Sequence, residues 1–170
     1  IDALDALLST RVTMGPRVRA FEQQWAEFCG VGHGVMVNSG SSAVLLMLAA
    51  MVETGRLQPG DEVLCPAVTW STSLFPIAQC GLVPVLVDVD PHTLCISAES
   101  ARAARTSRTR AVLAVHLLGQ PADMAAFDDL LILEDACGAH GAVYDGRRVG
   151  GVGTAASFSF FFSHHITTIE

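Results

Sequence analysis

The sequence predicts an α/β protein whose mostly parallel sheet is covered by helices on both faces. Three observations carry that prediction. Strand-like and helix-like stretches alternate along the chain, as crossovers between parallel strands require. Several strand-like stretches are apolar nearly throughout instead of alternating, which suits strands buried on two sides. The composition agrees: of 170 residues 51% are hydrophobic and 16% charged, and the mean hydropathy is +0.44. That length holds one domain with a sizeable core.

Taken in order, "IDALDALLSTR" has the pattern of an amphipathic helix already under way. "HGVMVN" (33–38) is a short β-rich run, and "SGSSAVLLMLAAMVETG" after it is apolar almost all round, hence a buried helix. "DEVLCP" is a strand, and "TSLFPIAQCG" a helix ending at Gly81. "VPVLVDVD" is a strand closed by Pro91. "SAESARAARTS" is a helix capped by Ser97, with Glu99 in its first turn. "RAVLAVHLLG" and "LLILED" are strands flanking a short helix in "PADMAAFDD". "VYDGRRVGG" turns on Asp145-Gly146, and "ASFSFFF" is the last strand.

Several function classes fall away. The longest unbroken apolar run, Ala43 to Val52, has ten residues and is too short to span a bilayer. The first residues carry two aspartates and no basic region, unlike a signal peptide. A net charge of −7 disfavours nucleic acid. Arg102, Arg105, Arg108 and Arg110 form a basic patch that reads as a solvated face. Five scattered cysteines without a C-x-x-C pair read as reduced thiols of a cytoplasmic protein, with no zinc site.

In open parallel sheets ligands bind beyond the carboxyl ends of the strands. The stretches to inspect are therefore 38–42, 66–70, 88–90, 116–120, 135–138 and 163–165. "NSGSS" offers the close backbone approach and unpaired helix amides of a phosphate cradle, although Ser and Gly also cap helices that bind nothing. Trp70, among small hydroxyl residues, suits stacking on a flat ligand or plain core packing. Asp135 suits a protonated ring nitrogen, a ribose hydroxyl or a turn cap, and Glu134 beside it points to the opposite face. His164 and His165 follow a buried run, and their spacing supports no metal site.

In order along the chain, "TMGPRVRAFEQQWAEFCGV", "VNSGSSAVLLMLAA", "GDEVLCPAVTWSTSLFPIAQCGLVPVLVDVDPHTL", "VHLLGQPADM", "EDACGAHGAVYDGRRVG" and "FSFFFSHHITTIE" resemble the DegT/DnrJ/EryC1/StrS family. The resemblance covers nearly the whole chain. It implies the type I aminotransferase fold, the cofactor pyridoxal or pyridoxamine phosphate, and a nucleotide-linked sugar as substrate. Residues 1–170 would be an internal fragment of the cofactor-binding large domain, without the C-terminal small domain.

Most members of that family are aminotransferases with a cofactor-binding lysine in the last block. Aligned backwards from Glu170, that lysine falls on His164, and the chain contains no lysine at all, its ten basic residues being arginines. The exchange resembles the subgroup that removes the C3 hydroxyl of NDP-4-keto-6-deoxyhexoses, where pyridoxamine phosphate is held without a covalent bond. The resemblance implies His164 as the catalytic base and a phosphate held by Gly40, Ser41 and Ser159. It also implies Trp70 stacked on the ring and Asp135 on the ring nitrogen. Further implied are a homodimer, and glutamate or a reductase with a [2Fe-2S] cluster to complete the cycle. An aminotransferase or a catalytically silent member are the alternatives. Departures are Gly138 in place of a glutamine, Thr154 in place of an aspartate, and a stretch from Met124 to Glu134 about two helical turns short.

Overall fold

A computed structural model describes residues 2–9 and 14–168. They divide into two compact units, residues 1–36 and 37–170. In the first, α1 (Asp2–Leu8) realises the expected opening helix; Ile1, Thr10 and Arg11 of that expectation lie outside the described residues. α2 (Pro16–Cys29) starts with proline in its first turn and ends on Gly30 at φ 75°. There the amides of Gly30 and Val31 close back on the carbonyls of Glu27 and Ala26. Trp25 stacks between Phe21 and Phe28 along this helix.

No strand forms over 33–38, contrary to the sequence expectation. The Met36 N–H donates to the Glu22 carboxylate at 2.7 Å instead of to a neighbouring strand. Gly34 lies so close to α2 that a Cβ there would sit 2.8 Å from the Glu22 carbonyl oxygen. β-rich composition marks a strand only where a neighbouring strand is there to pair with it.

The second unit holds α3 (Gly40–Glu53), β1 (Glu62–Pro66), α4 (Ser71–Gln79), β2 (Val83–Val87), α5 (Ala98–Ala104), β3 (Thr109–Val115) and β4 (Leu131–Asp135). A hairpin of β5 (Val143–Tyr144) and β6 (Arg147–Arg148) follows, then β7 (Ala155–Ser157). The five-stranded sheet runs in the order β2-β1-β3-β4-β7, and every pairing in it is parallel. The predicted fold class is thus the observed one. The chain goes from β1 outward to β2, then returns to β1's other side with β3, so the strand order reverses at β1 and β3.

Burial follows the pleat. Val63, Cys65, Ala111, Leu113 and Val115 pack one face of the sheet against Val44, Met47 and Leu48 of α3 and Ile77 of α4. Leu64, Val112 and Ala114 face the other way, with Ala101 of α5, Met124 and Phe127. β1 is buried along its whole length, its carboxylate Glu62 included. Ser97 caps α5 by accepting from the Ser100 amide, and Asp145-Gly146 turns the hairpin with φ of 46° and 76°, both as predicted. Two expectations shrink. The helix expected in "PADMAAFDD" is a single 3₁₀ turn, Met124–Phe127, and the last strand stops at Ser157.

The basic patch is a largely solvated face, as expected: Arg102, Arg108 and Arg110 are exposed and Arg105 is half-buried. Arg105 pairs with Asp129 at 2.6 Å, and Arg108 pairs with the buried Glu62 at 2.8 Å. Glu62 also accepts from the hydroxyls of Thr106 and Thr109. Those hydroxyls, with Arg108 beside them, hold its carboxyl below the usual range against the opposing effect of burial. The ties fasten the start of β3 to that of β1. Among the described residues no helix is long and apolar enough to cross a membrane.

Candidate active site

The site grows from the carboxyl ends of the strands. At the end of β4 two carboxylates point to opposite faces, as alternation demands. Glu134 is fully buried and accepts from the amides of Gly150 at 2.7 Å, Val152 at 3.0 Å and Gly153 at 2.6 Å. Its fourth partner is His116 at 3.0 Å. The Ala122 amide donates to His116 Nδ1 at 3.0 Å, so the ring proton sits on Nε2 and points at Glu134. These donors keep the Glu134 carboxyl below its ordinary range although burial acts the other way. His116, at the head of one of the stretches to inspect, is therefore a structural partner of Glu134.

Asp135 faces the other side and is 6% exposed. Its Oδ2 accepts from the Ser73 hydroxyl at 2.6 Å and its Oδ1 from the Cys137 amide at 3.2 Å. Burial, with the Asp135 charge adding to it, pushes the Cys65 thiol up to about 12 and raises the Cys137 thiol as well. A thiol held protonated in this way is a poor nucleophile. Among the described residues no group of His, Cys, Asp and Glu is placed to hold a metal.

Trp70 stands at the start of α4, three residues before Ser73, and its carbonyl receives the Ser73 amide. It is 74% exposed, which rules out the core-packing alternative. Ser39 caps α3 through its side chain. The helical ladder begins with the Ala43 amide on the Ser39 carbonyl, so Gly40 and Ser41 lie ahead of it with their amides at the positive end of the helix. A Cβ on Gly40 would meet Ser159 Cβ at 2.7 Å and Cys137 Sγ at 2.9 Å. α3, the turn after β4 and the segment after β7 therefore converge on one point.

Ser159 lies beyond β7 and accepts from the Phe161 amide at 3.3 Å, so its own hydroxyl proton remains available to donate. His164 is half-buried in the turn that follows, and His165 is exposed. Both rings approach His140, with centroids 6.1 and 6.5 Å away; the two histidines are less sharply separated than their adjacency suggested. His140 also packs on Phe158 and Phe160. Burial lowers its pKa, the Ser159 backbone opposes that, and the neighbouring His164 and His165 lower it further. Sequence reasoning missed Ser73 and His140. "TWSTS" showed only hydroxyl residues, and His140 lay outside the inspected strand ends. Gly138 has nothing within 4 Å of a Cβ position, so the space a glutamine would fill there is open.

An open parallel sheet with a polar mouth at its strand ends and helices on both faces is the cofactor-binding architecture of α/β enzymes. The chain belongs to the DegT/DnrJ/EryC1/StrS aminotransferase family, which it matches over residues 2–170. It is 43% identical to a GDP-4-keto-6-deoxy-D-mannose 3-dehydratase of Yersinia pseudotuberculosis, over 100% of this chain and 46% of that protein. The Escherichia coli GDP-4-keto-6-deoxy-D-mannose-3-dehydratase, solved with hydrated PLP bound, superposes with a TM-score of 0.90 at 41% identity, covering 99% of this chain and 45% of that one. A ColD variant with a histidine replaced by lysine and the preceding serine by asparagine gives a TM-score of 0.90 at 40% identity, covering 99% and 46%. The chain thus spans about half the length of the curated relatives it matches.

Proposed function

We propose that residues 1–170 are the cofactor-binding part of a pyridoxamine-phosphate-dependent enzyme that removes the C3 hydroxyl of a nucleotide-linked 4-keto-6-deoxyhexose. The observation that carries this reading is the half-buried His164 in a chain without lysine. No side chain in it can hold the cofactor covalently, as an aminotransferase of this family requires. The relatives named as 3-dehydratases support it. So does the ColD variant: this chain contains one serine-histidine pair, Ser163-His164.

The residues present fit the cofactor. The Gly40 position is so closely walled by Ser159 and Cys137 that a side chain there would force those segments apart. The Gly40 and Ser41 amides and the Ser41 and Ser159 hydroxyls would hold the phosphate. The exposed face of Trp70 would cover the pyridine ring, and Asp135 would hold the proton on its nitrogen. When bound, the cofactor supplies an amine for the C4 ketone and an electron sink that lets the C3 hydroxyl leave. His164 would move the proton at the cofactor's C4′ carbon, a task suited to an imidazole, which can accept and return a proton through its ring nitrogens. Glutamate or a reductase would return the cofactor to its starting state.

The test uses the whole protein, borohydride and mass spectrometry, with product analysis on a GDP-linked 4-keto-6-deoxyhexose. The wild type should carry no reduced adduct. His164→Lys should trap the cofactor covalently, turn yellow and lose dehydration, and His165→Lys should do neither. Dehydration at the wild-type rate in His164→Lys, or trapping by His165→Lys, would place the base elsewhere.

A further inference from the structure

With Asp135 read as the partner of the cofactor's ring nitrogen, we infer that Ser73, oriented by Thr69, is a positioning residue that fixes the Asp135 carboxylate. Serines in a helix's first turn commonly bond their own helix. The Ser73 hydroxyl instead crosses to β4, 62 positions along the chain, and reaches Asp135 Oδ2 at 2.6 Å. Both groups are buried, at 1% and 6% exposure, so the contact is not in competition with water.

The direction of each bond follows from proton counting. A serine hydroxyl has one proton. Thr69 Oγ1 donates to Ser73 Oγ at 3.0 Å, which leaves the Ser73 proton for the carboxylate, a donor chain in which each bond polarises the next. With the Cys137 amide on Oδ1, each carboxylate oxygen has one anchor. Two anchors on different oxygens stop the group from rotating, whereas either alone leaves that rotation open. The remaining lone pairs keep a fixed direction for an incoming N–H. Thr69 and Ser73 also flank Trp70, so the same chain ties the ring-covering residue's turn to the residue meant to hold the ring.

A double-mutant cycle on the whole protein tests this, read as the dissociation constant of pyridoxamine phosphate by fluorescence titration. Asp135→Asn should weaken binding, and Ser73→Ala should weaken it about tenfold. Ser73→Thr, which keeps the hydroxyl, should restore it to within about twofold. In the Asp135→Asn background, Ser73→Ala should change affinity by about twofold or less. Thr69→Val guards against a Ser73 variant that fails to fold; it should cost about threefold, again only when Asp135 is intact. Equal losses in both backgrounds would make Ser73 a packing residue and overturn the inference. So would unchanged affinity in Ser73→Ala while Asp135→Asn binds weakly. Unchanged affinity in Asp135→Asn itself would instead remove the ring-partner reading on which the inference stands.

Discussion

Glu134 and Asp135 are neighbours of like chemistry with opposite tasks, divided by the pleat of one strand. Glu134 spends every bond on the protein: three backbone amides and the His116 ring converge on it. Its carboxyl is held below the ordinary value of 4.5, so below that pH the unfolded chain takes up the proton first. The stabilisation is therefore present above about pH 4.5 and lost as pH falls through the lower folded value. In Glu134→Gln an NH₂ group would face some of these donors, with a loss of about 2–4 kcal/mol at neutral pH. Urea unfolding across pH 3–7 should show a flatter acid limb in that variant; an unchanged limb would assign the acid sensitivity to another group. His140 adds a contribution of the same sign, since its lowered pKa makes the folded state resist protonation below 6.5. Asp135, by contrast, has one protein donor on each oxygen, the Ser73 hydroxyl and the Cys137 amide, and is the residue proposed to meet the cofactor. The sequence named it because a carboxylate at a strand end is conspicuous. Ser73 escaped notice because its partner lies 62 positions away, a distance that only the fold closes.

At the scale of elements, the seat of α3 is decided by how closely its first residue meets two other segments. Gly→Ala inside a helix ordinarily stabilises by about 0.5–1 kcal/mol. At Gly40 the added carbon would meet Ser159 Cβ at 2.7 Å and Cys137 Sγ at 2.9 Å. Overpacking of that kind costs about 1–3 kcal/mol, so it outweighs propensity. Gly40→Ala should lower the melting temperature and weaken cofactor binding, whereas Ser39→Ala should lose about 1 kcal/mol of capping alone. A Gly40→Ala protein more stable than wild type, by thermal unfolding, would show that the three segments do not meet as described. Elements whose signals are local were legible: the Ser97 cap, the Asp145-Gly146 turn, the buried run of β1. Those that depend on a partner were not. Residues 33–38 have strand composition, yet the Met36 amide goes to Glu22. β7 ends at Ser157 although the aromatic run continues, because the pairing that β4 provides ends there. α2 was announced by Pro16 at its start and Gly30 at its end, signals present in the sequence but not used.

For the whole molecule, the candidate contacts are unevenly distributed. Gly40, Ser41, Trp70, Asp135, Ser159 and His164 all fall within residues 37–170, and none within 1–36. A ligand that binds only the folded state stabilises it by mass action, about 2.7 kcal/mol at a hundredfold excess over its dissociation constant. That stabilisation is felt by whatever opens cooperatively with the site. Pyridoxamine phosphate added to the whole protein should therefore raise the melting temperature in a concentration-dependent way. It should also slow amide exchange most at the first turn of α3, at α4 and at the end of β4. Amides of α2 should keep their exchange rates, because their hydrogen bonds belong to the other compact unit. Asp135→Asn should diminish both effects together, since the charge that holds the ring is gone while the sheet beneath it is intact. Exchange measured with and without cofactor decides the matter. Protection that appears first in α2, with the end of β4 unchanged, would mean that the cofactor binds away from the strand ends and that the proposed site is not where this protein does its chemistry.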